Sequence, residues 1–99
     1  MSSPERQCRR LADPTGTIVN TAQYLDGKLD GVSQVIIRGV LTIEENYIAG
    51  ELHGRYRSWW EDGTAKEEGT YHRDHRVGIY RWYGFDGSLL QEHDYGQAL

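Results

Sequence analysis

The stretch Tyr47-Ile48-Ala49-Gly50-Glu51-Leu52-His53-Gly54-Arg55-Tyr56-Arg57-Ser58-Trp59-Trp60-Glu61-Asp62-Gly63 decides how this chain is read. It divides into a turn, a strand rich in arginine and aromatic residues (Arg55 to Trp60), and a second turn that closes on Asp62-Gly63. Asp-Gly between β-rich runs signals a hairpin, because glycine takes positive φ without a Cβ clash. The same pattern recurs on both sides. Gly16, Gly39, Gly63 and Gly87 are each followed eight residues later by a tyrosine: Tyr24, Tyr47, Tyr71 and Tyr95. These tyrosines are 23, 24 and 24 residues apart. Seven residues after the first three stand Gly31, Gly54 and Gly78; three residues after them stand Gly27, Gly50 and, in place of glycine, Asp74. A period between 20 and 50 residues marks stacked supersecondary units.

Each unit holds two strands. The first strands are Val32 to Arg38, Arg55 to Trp60 and Ile79 to Tyr83; the second are Thr17 to Tyr24, Val40 to Tyr47, Thr64 to Tyr71 and Ser88 to Tyr95. The hairpins fall at Glu61-Asp62-Gly63 and Phe85-Asp86-Gly87, with a shorter one at Arg38-Gly39. Asp13-Pro14-Thr15-Gly16 has the same placement, so the N-terminal unit reads as half a repeat. Residues 1–10 lack an apolar period and read as a flexible tail; residues 11–99 form the repeat domain, a half repeat plus three units. Side chains alternate across a strand. Counted from the hairpin glycine, even positions (Ile18/Tyr24, Leu41/Ile43/Tyr47, Ala65/Tyr71, Leu89/Tyr95) are expected to share the buried face. Odd positions (Thr42, Glu44, Thr64, Lys66, Glu68, Glu92, Asp94) are expected to share the wet one. On the first strands both faces carry aromatics, which leaves their buried face open. No glycine-free stretch of helical length keeps a 3.6-residue period. The expected fold is all-β: one elongated, twisted antiparallel sheet of successive hairpins.

Composition agrees with thin β-structure. Hydrophobic residues make up only 37% of 99, whereas glycine reaches 12 residues and aromatics 11%, so stability leans on buried rings. The first ten residues hold three arginines against one glutamate, and the remaining 8 basic and 14 acidic side chains make the body −6. An acidic body argues against nucleic acid, whose binding rests on phosphate neutralisation, and suits a basic protein partner. Cys8 is the one cysteine, which excludes an intramolecular disulfide and fits a reducing, cytoplasmic setting. Apolar runs are too short to span a bilayer, and the N-terminus has no apolar signal core.

The pattern Tyr-x-x-Gly-x-x-x-Gly-x-aromatic, an aromatic pair, then Asp-Gly resembles the MORN repeat, and more closely its antitoxin-like variant. Tyr47 to Gly63 carries the resemblance best. Tyr71 to Gly87 is a second match, with Asp74 for glycine and Trp82-Tyr83 shifted by one. Tyr24 to Gly31 matches at its turn only, and its strand Val32 to Ile37 is aliphatic where the family is aromatic. The resemblance spans about residues 13–96. It implies successive hairpins in one sheet, protein–protein contact, membrane association in some members and toxin neutralisation in the variant. It implies no catalytic residues.

Candidate chemistry is sparse. His72, Asp74 and His75 lie in one turn interrupted by arginines, and the expectation there is an exposed polar turn without metal. No nucleophile motif, phosphate loop or facing carboxylate pair is present, so no catalytic residue and no cofactor is expected. Two features point to a protein partner. Glu44, Glu68 and Glu92 recur at one repeat position and would stack as an acidic ladder able to receive a basic effector. Arg55, Arg57, Trp59, Arg81 and Tyr83 form a patch of the residue types enriched at binding hot spots. The functional expectation is a non-enzymatic immunity- or antitoxin-like protein that occludes a toxic effector, with a scaffold repeat on a membrane surface or larger assembly as the alternative. Open sheet edges also invite a homodimer.

Overall fold

Two kinds of turn fold the chain back and forth. At Asp26-Gly27, Arg38-Gly39, Ala49-Gly50 and Arg73-Asp74 two consecutive residues take positive φ, between 48° and 86°. That is the backbone of a type I′ turn, whose twist matches the strands it joins. The other turns are closed by aspartate. The carboxylates of Asp62 and Asp86 accept the backbone N–H groups two residues on, of Thr64 (2.9 Å) and Ser88 (3.0 Å), as Asx-type turns do, and the Asp13 carboxylate spans its longer turn to the Ile18 N–H at 2.9 Å.

A computed structural model describes residues 5–97. The strands are β1 (Gln7–Ala12), β2 (Ile18–Leu25), β3 (Lys28–Ile37), β4 (Val40–Ile48), β5 (Glu51–Leu52), β6 (Gly54–Trp59), β7 (Ala65–His72), β8 (His75–Tyr83) and β9 (Leu89–Asp94). They form one antiparallel sheet in the order β1-β2-β3-β4-β6-β7-β8-β9, with the short β5 beside β4. The principal extents are 49 × 43 × 15 Å. Stacked sheets lie about 10 Å apart, so the 15 Å dimension holds one layer with its side chains. The expected all-β sheet of successive hairpins is what forms.

Two corrections concern register. Residues 1–10 were expected to be a flexible tail, yet Gln7–Ala12 pairs with β2 from Gln7↔Tyr24 to Ala12↔Val19. Residues 1–4 of that tail lie outside the described residues. β1 lacks an apolar period because an edge strand exposed along its whole length needs only backbone pairing. Side chains help hold it: Arg6 reaches the buried Asp30 at 2.8 Å, and the Arg9 guanidinium lies 5.0 Å from the Tyr24 ring centroid. The N-terminal half repeat is therefore a complete two-strand unit, and the described residues hold four such units, β1-β2, β3-β4, β6-β7 and β8-β9.

The second correction concerns the faces. Opposite Val35-Ile36 stand Ile43 and Leu41, which leaves Thr42 unopposed. Lys66 and Leu90 are unopposed in the same way. A bulge at the third residue after the hairpin glycine interrupts the period-two count. Leu41, Ala65 and Leu89 therefore lie on the face opposite Tyr47, Tyr71 and Tyr95. The tyrosine face holds the buried centre: Ala22, Ser33 and Ser58 are buried and Tyr80 is fully so. Small residues run down the middle with rings beside them. Tyr56, Tyr71, Tyr80 and Tyr95 follow one another across β6 to β9 with centroids 5.7, 6.2 and 6.2 Å apart, within the range of favourable edge-to-face contact.

Candidate protein-binding face

The register places all eight candidate residues, Arg55, Arg57, Trp59, Arg81, Tyr83, Glu44, Glu68 and Glu92, on the face opposite the tyrosines. Antiparallel pairing runs Thr21↔Gln34↔Glu44↔Arg57↔Glu68↔Arg81↔Glu92 across seven strands. Glu44, Glu68 and Glu92 were expected to stack as an acidic ladder, with the arginines as a separate patch. Instead Arg57 and Arg81 stand between them. The repeat puts glutamate on every second strand, and the first strands that intervene supply the arginines. Like charges side by side on a sheet repel; alternation removes that cost.

Contacts along the row are short. The Gln34 amide donates to Glu44 at 2.9 Å and the Arg57 guanidinium donates to the other Glu44 oxygen at 2.7 Å. Arg81 bonds Glu92 at 2.8 Å and approaches Glu68 at 3.6 Å, while the Tyr83 hydroxyl donates to Glu68 at 2.7 Å. Hydrogen bonds from Arg57 first, then Gln34, hold the Glu44 carboxyl below its ordinary value of 4.5. The Glu92 bond raises the Arg81 guanidinium, and the Glu68 bond raises the Tyr83 phenol. Because the folded state disfavours protonating Glu44, the stability it contributes is complete above its ordinary value and is lost as pH falls through the lowered one. Glu44→Gln is expected to flatten the loss of stability on acidification, read as urea midpoints from neutral pH downward. An unchanged slope would show that Glu44 titrates alike in both states.

The residues that flank this row along the strands differ from the row itself. Trp59 lies under the Arg57 guanidinium at 5.3 Å, and Arg55 is exposed on the same strand. Between Arg55, Glu68, Ile79 and Arg81 is a shallow dent of about 160 Å³, smaller than the usual small-molecule site and wide enough for a partner's side chain. Ile79 at its rim is 47% exposed.

One prominent residue escapes the repeat pattern. Arg76, read as part of an exposed polar turn, folds over the tyrosine face. It donates to the hydroxyls of Tyr71 (3.3 Å) and Tyr95 (3.1 Å) and lies 4.5 Å from the Tyr80 ring centroid and 5.6 Å from that of Trp82. The signal was its hairpin pairing: across the turn at Arg73-Asp74, Arg76 stands opposite Tyr71. His72 and Asp74 are also engaged locally. His72 packs on His53 at 4.7 Å, and Asp74 accepts the Leu52 N–H at 2.8 Å, tying one turn to the next. On the same face, burial first and then the nearby Glu67 push the Tyr56 phenol up to about 12.

Comparison with protein-family models, curated proteins and solved structures returned no match.

Proposed function

We propose that this chain is a non-enzymatic protein-binding sheet that neutralises a toxic effector by direct contact, as its resemblance to antitoxin-like repeats implies. One observation carries the reading. The charge-row face of a one-layer sheet presents Arg55, Trp59, Ile79 and Tyr83 around a row of ion-paired side chains, Arg57 with Glu44 and Arg81 with Glu92, with no second layer over it among the described residues. Arginine and large aromatics concentrate binding energy at protein interfaces. A row whose charges are already paired can meet a partner without stranding an ion. The internal pairing also changes what the partner must be. It needs to match a mixed polar and aromatic surface, and an excess of basic charge is not required.

The test begins with products of genes adjacent to this one, co-expressed with and without the chain. The expected result is that one of them arrests growth unless the chain is present, and that the two purify as a complex. Trp59→Ala combined with Arg55→Glu is expected to weaken that complex about 100-fold by calorimetry while leaving the fold intact. An unchanged affinity would remove this face from the interface. Sedimentation with liposomes, together with failure to bind any neighbouring product, would overturn the reading in favour of a membrane-surface scaffold.

A further inference from the structure

The sheet ends in two edges that differ in charge and are related by the repeat. β1 and β9 are exposed along their whole length, and among the described residues each pairs with one neighbour only. β1 carries Arg9 and Arg10; β9 carries Glu92 and Asp94. Eight strands at about 4.8 Å spacing separate the edges by roughly 34 Å, and the flat shape keeps them from meeting within one chain.

The charge row shows what the β9 edge lacks. Five residues after the hairpin glycine stands a glutamate: Glu44 after Gly39, Glu68 after Gly63, Glu92 after Gly87. Six residues before it stands an arginine: Arg57 before Gly63, Arg81 before Gly87, and Arg10 before Gly16. At two of the three junctions between units the glutamate faces the arginine of the next unit, Glu44↔Arg57 and Glu68↔Arg81, while at the first the polar pair Thr21↔Gln34 takes their place. Glu44 receives donors from both neighbouring strands. Glu92 receives one, from Arg81, and its side chain is 45% exposed. Arg10, in register with Thr21 on the same face of the sheet, makes no ion pair among the described residues.

We infer that β9 of one molecule takes β1 of a second molecule as its next strand, antiparallel, with Glu92 opposite Arg10. The strand directions allow this: β1 runs antiparallel to β2, and each following strand on the path alternates, so an incoming β1 continues the alternation. The other face agrees. Arg9 is one residue before Arg10, where Tyr56 and Tyr80 precede Arg57 and Arg81. Tyr80 packs on Tyr71 of the preceding unit, so Arg9 of the second copy would meet Tyr95, as it already covers Tyr24 in its own hairpin. Two like edges would instead bring together Glu92 and Asp94 of two β9 strands, or the like arginines of two β1 strands. The association is heterologous, so it propagates into open rows unless its rotation closes a ring. The inference is independent of the effector-neutralising proposal, since it uses the edges and leaves both faces free.

Sedimentation velocity over a concentration series up to about 1 mM tests it, because a single added strand gives a small and therefore weak interface. The expected result is reversible growth in mass beyond a dimer. Arg10→Glu alone and Glu92→Arg alone are each expected to weaken self-association at least about tenfold. An equimolar mixture of the two is expected to reassemble, since each variant's edges then match only the other's. Thermal melts on dilute samples confirm that both remain folded. A wild type that stays monomeric across the series overturns the inference. So does an Arg10→Glu variant that assembles like the wild type, or a mixture that stays dissociated.

Discussion

Gly69→Ala is expected to lower the unfolding free energy by about 2–3 kcal/mol, a large loss for a domain with so little buried apolar surface. Gly69 lies on β7 with ordinary extended backbone, so glycine is not required there by φ. It is required by approach: the Tyr80 ring lies across it, and a Cβ would overlap the ring carbons. Among the described residues Tyr80 is the one large side chain that is fully buried. It touches Tyr56, Tyr71, Trp82 and Tyr95, and its hydroxyl donates to Glu67 at 3.1 Å. A methyl group at position 69 must lift that ring and disturb all of these contacts, since close-packed rings transmit the displacement. An aromatic ring covering a strand glycine is also a known means of holding register. Tyr80→Ala is expected to cost about 3–5 kcal/mol. The double variant is expected to cost no more than Tyr80→Ala alone, because with the ring gone the added methyl meets nothing. Urea midpoints with unchanged slopes measure all three. A Gly69→Ala loss under about 0.5 kcal/mol would show that the ring is not held down on β7.

Much of the architecture is legible in the spacing of glycines and tyrosines because a turn that needs positive φ restricts residue choice locally. Gly63 and Gly87 mark their hairpins for that reason, and Asp62 and Asp86 close them with their own side chains. The faces were harder to read. A bulge adds one residue and no distinctive residue type: Thr42, Lys66 and Leu90 share nothing but position. Counting by twos therefore put Leu41 and Tyr47 together when they lie on opposite sides. The same limit hid β1. Backbone pairing at an edge demands no apolar alternation, and the sequence Gln7-Cys8-Arg9-Arg10 offers none. The candidate residues were legible one by one, while their relation was not. Glu44, Glu68 and Glu92 belong to second strands, and Arg57 and Arg81 to first strands. Only the strand order shows that one set fills the gaps in the other, so that two supposed patches are one row.

Arg57→Glu is expected to destabilise the fold by about 2 kcal/mol, in contrast to Arg55→Glu two residues earlier on the same face, expected within about 0.5 kcal/mol. Charge count alone would give the two substitutions equal effects. Register separates them. Arg57 lies between Glu44 and Glu68, and its bond to Glu44 joins side chains only 36% and 18% exposed, so screening by water is incomplete. Reversal removes a charge-assisted hydrogen bond and sets three carboxylates in consecutive register. Arg55 stands opposite Thr70, is exposed and makes no ion pair among the described residues, so its reversal breaks no charge-assisted bond and meets Glu44 and Glu68 only through water-screened repulsion. The repulsive part of the Arg57→Glu loss is expected to shrink in concentrated salt, and again on acidification as the crowded carboxylates take up protons. These two dependences distinguish an electrostatic fault from a packing one, since loss of the Arg57 stem over Trp59 responds to neither. Equal and small losses for both variants would mean that the row is a solvated surface feature. In that case the alternation of Glu44, Arg57, Glu68, Arg81 and Glu92 would specify neither strand order nor the pairing of a second molecule at the β9 edge.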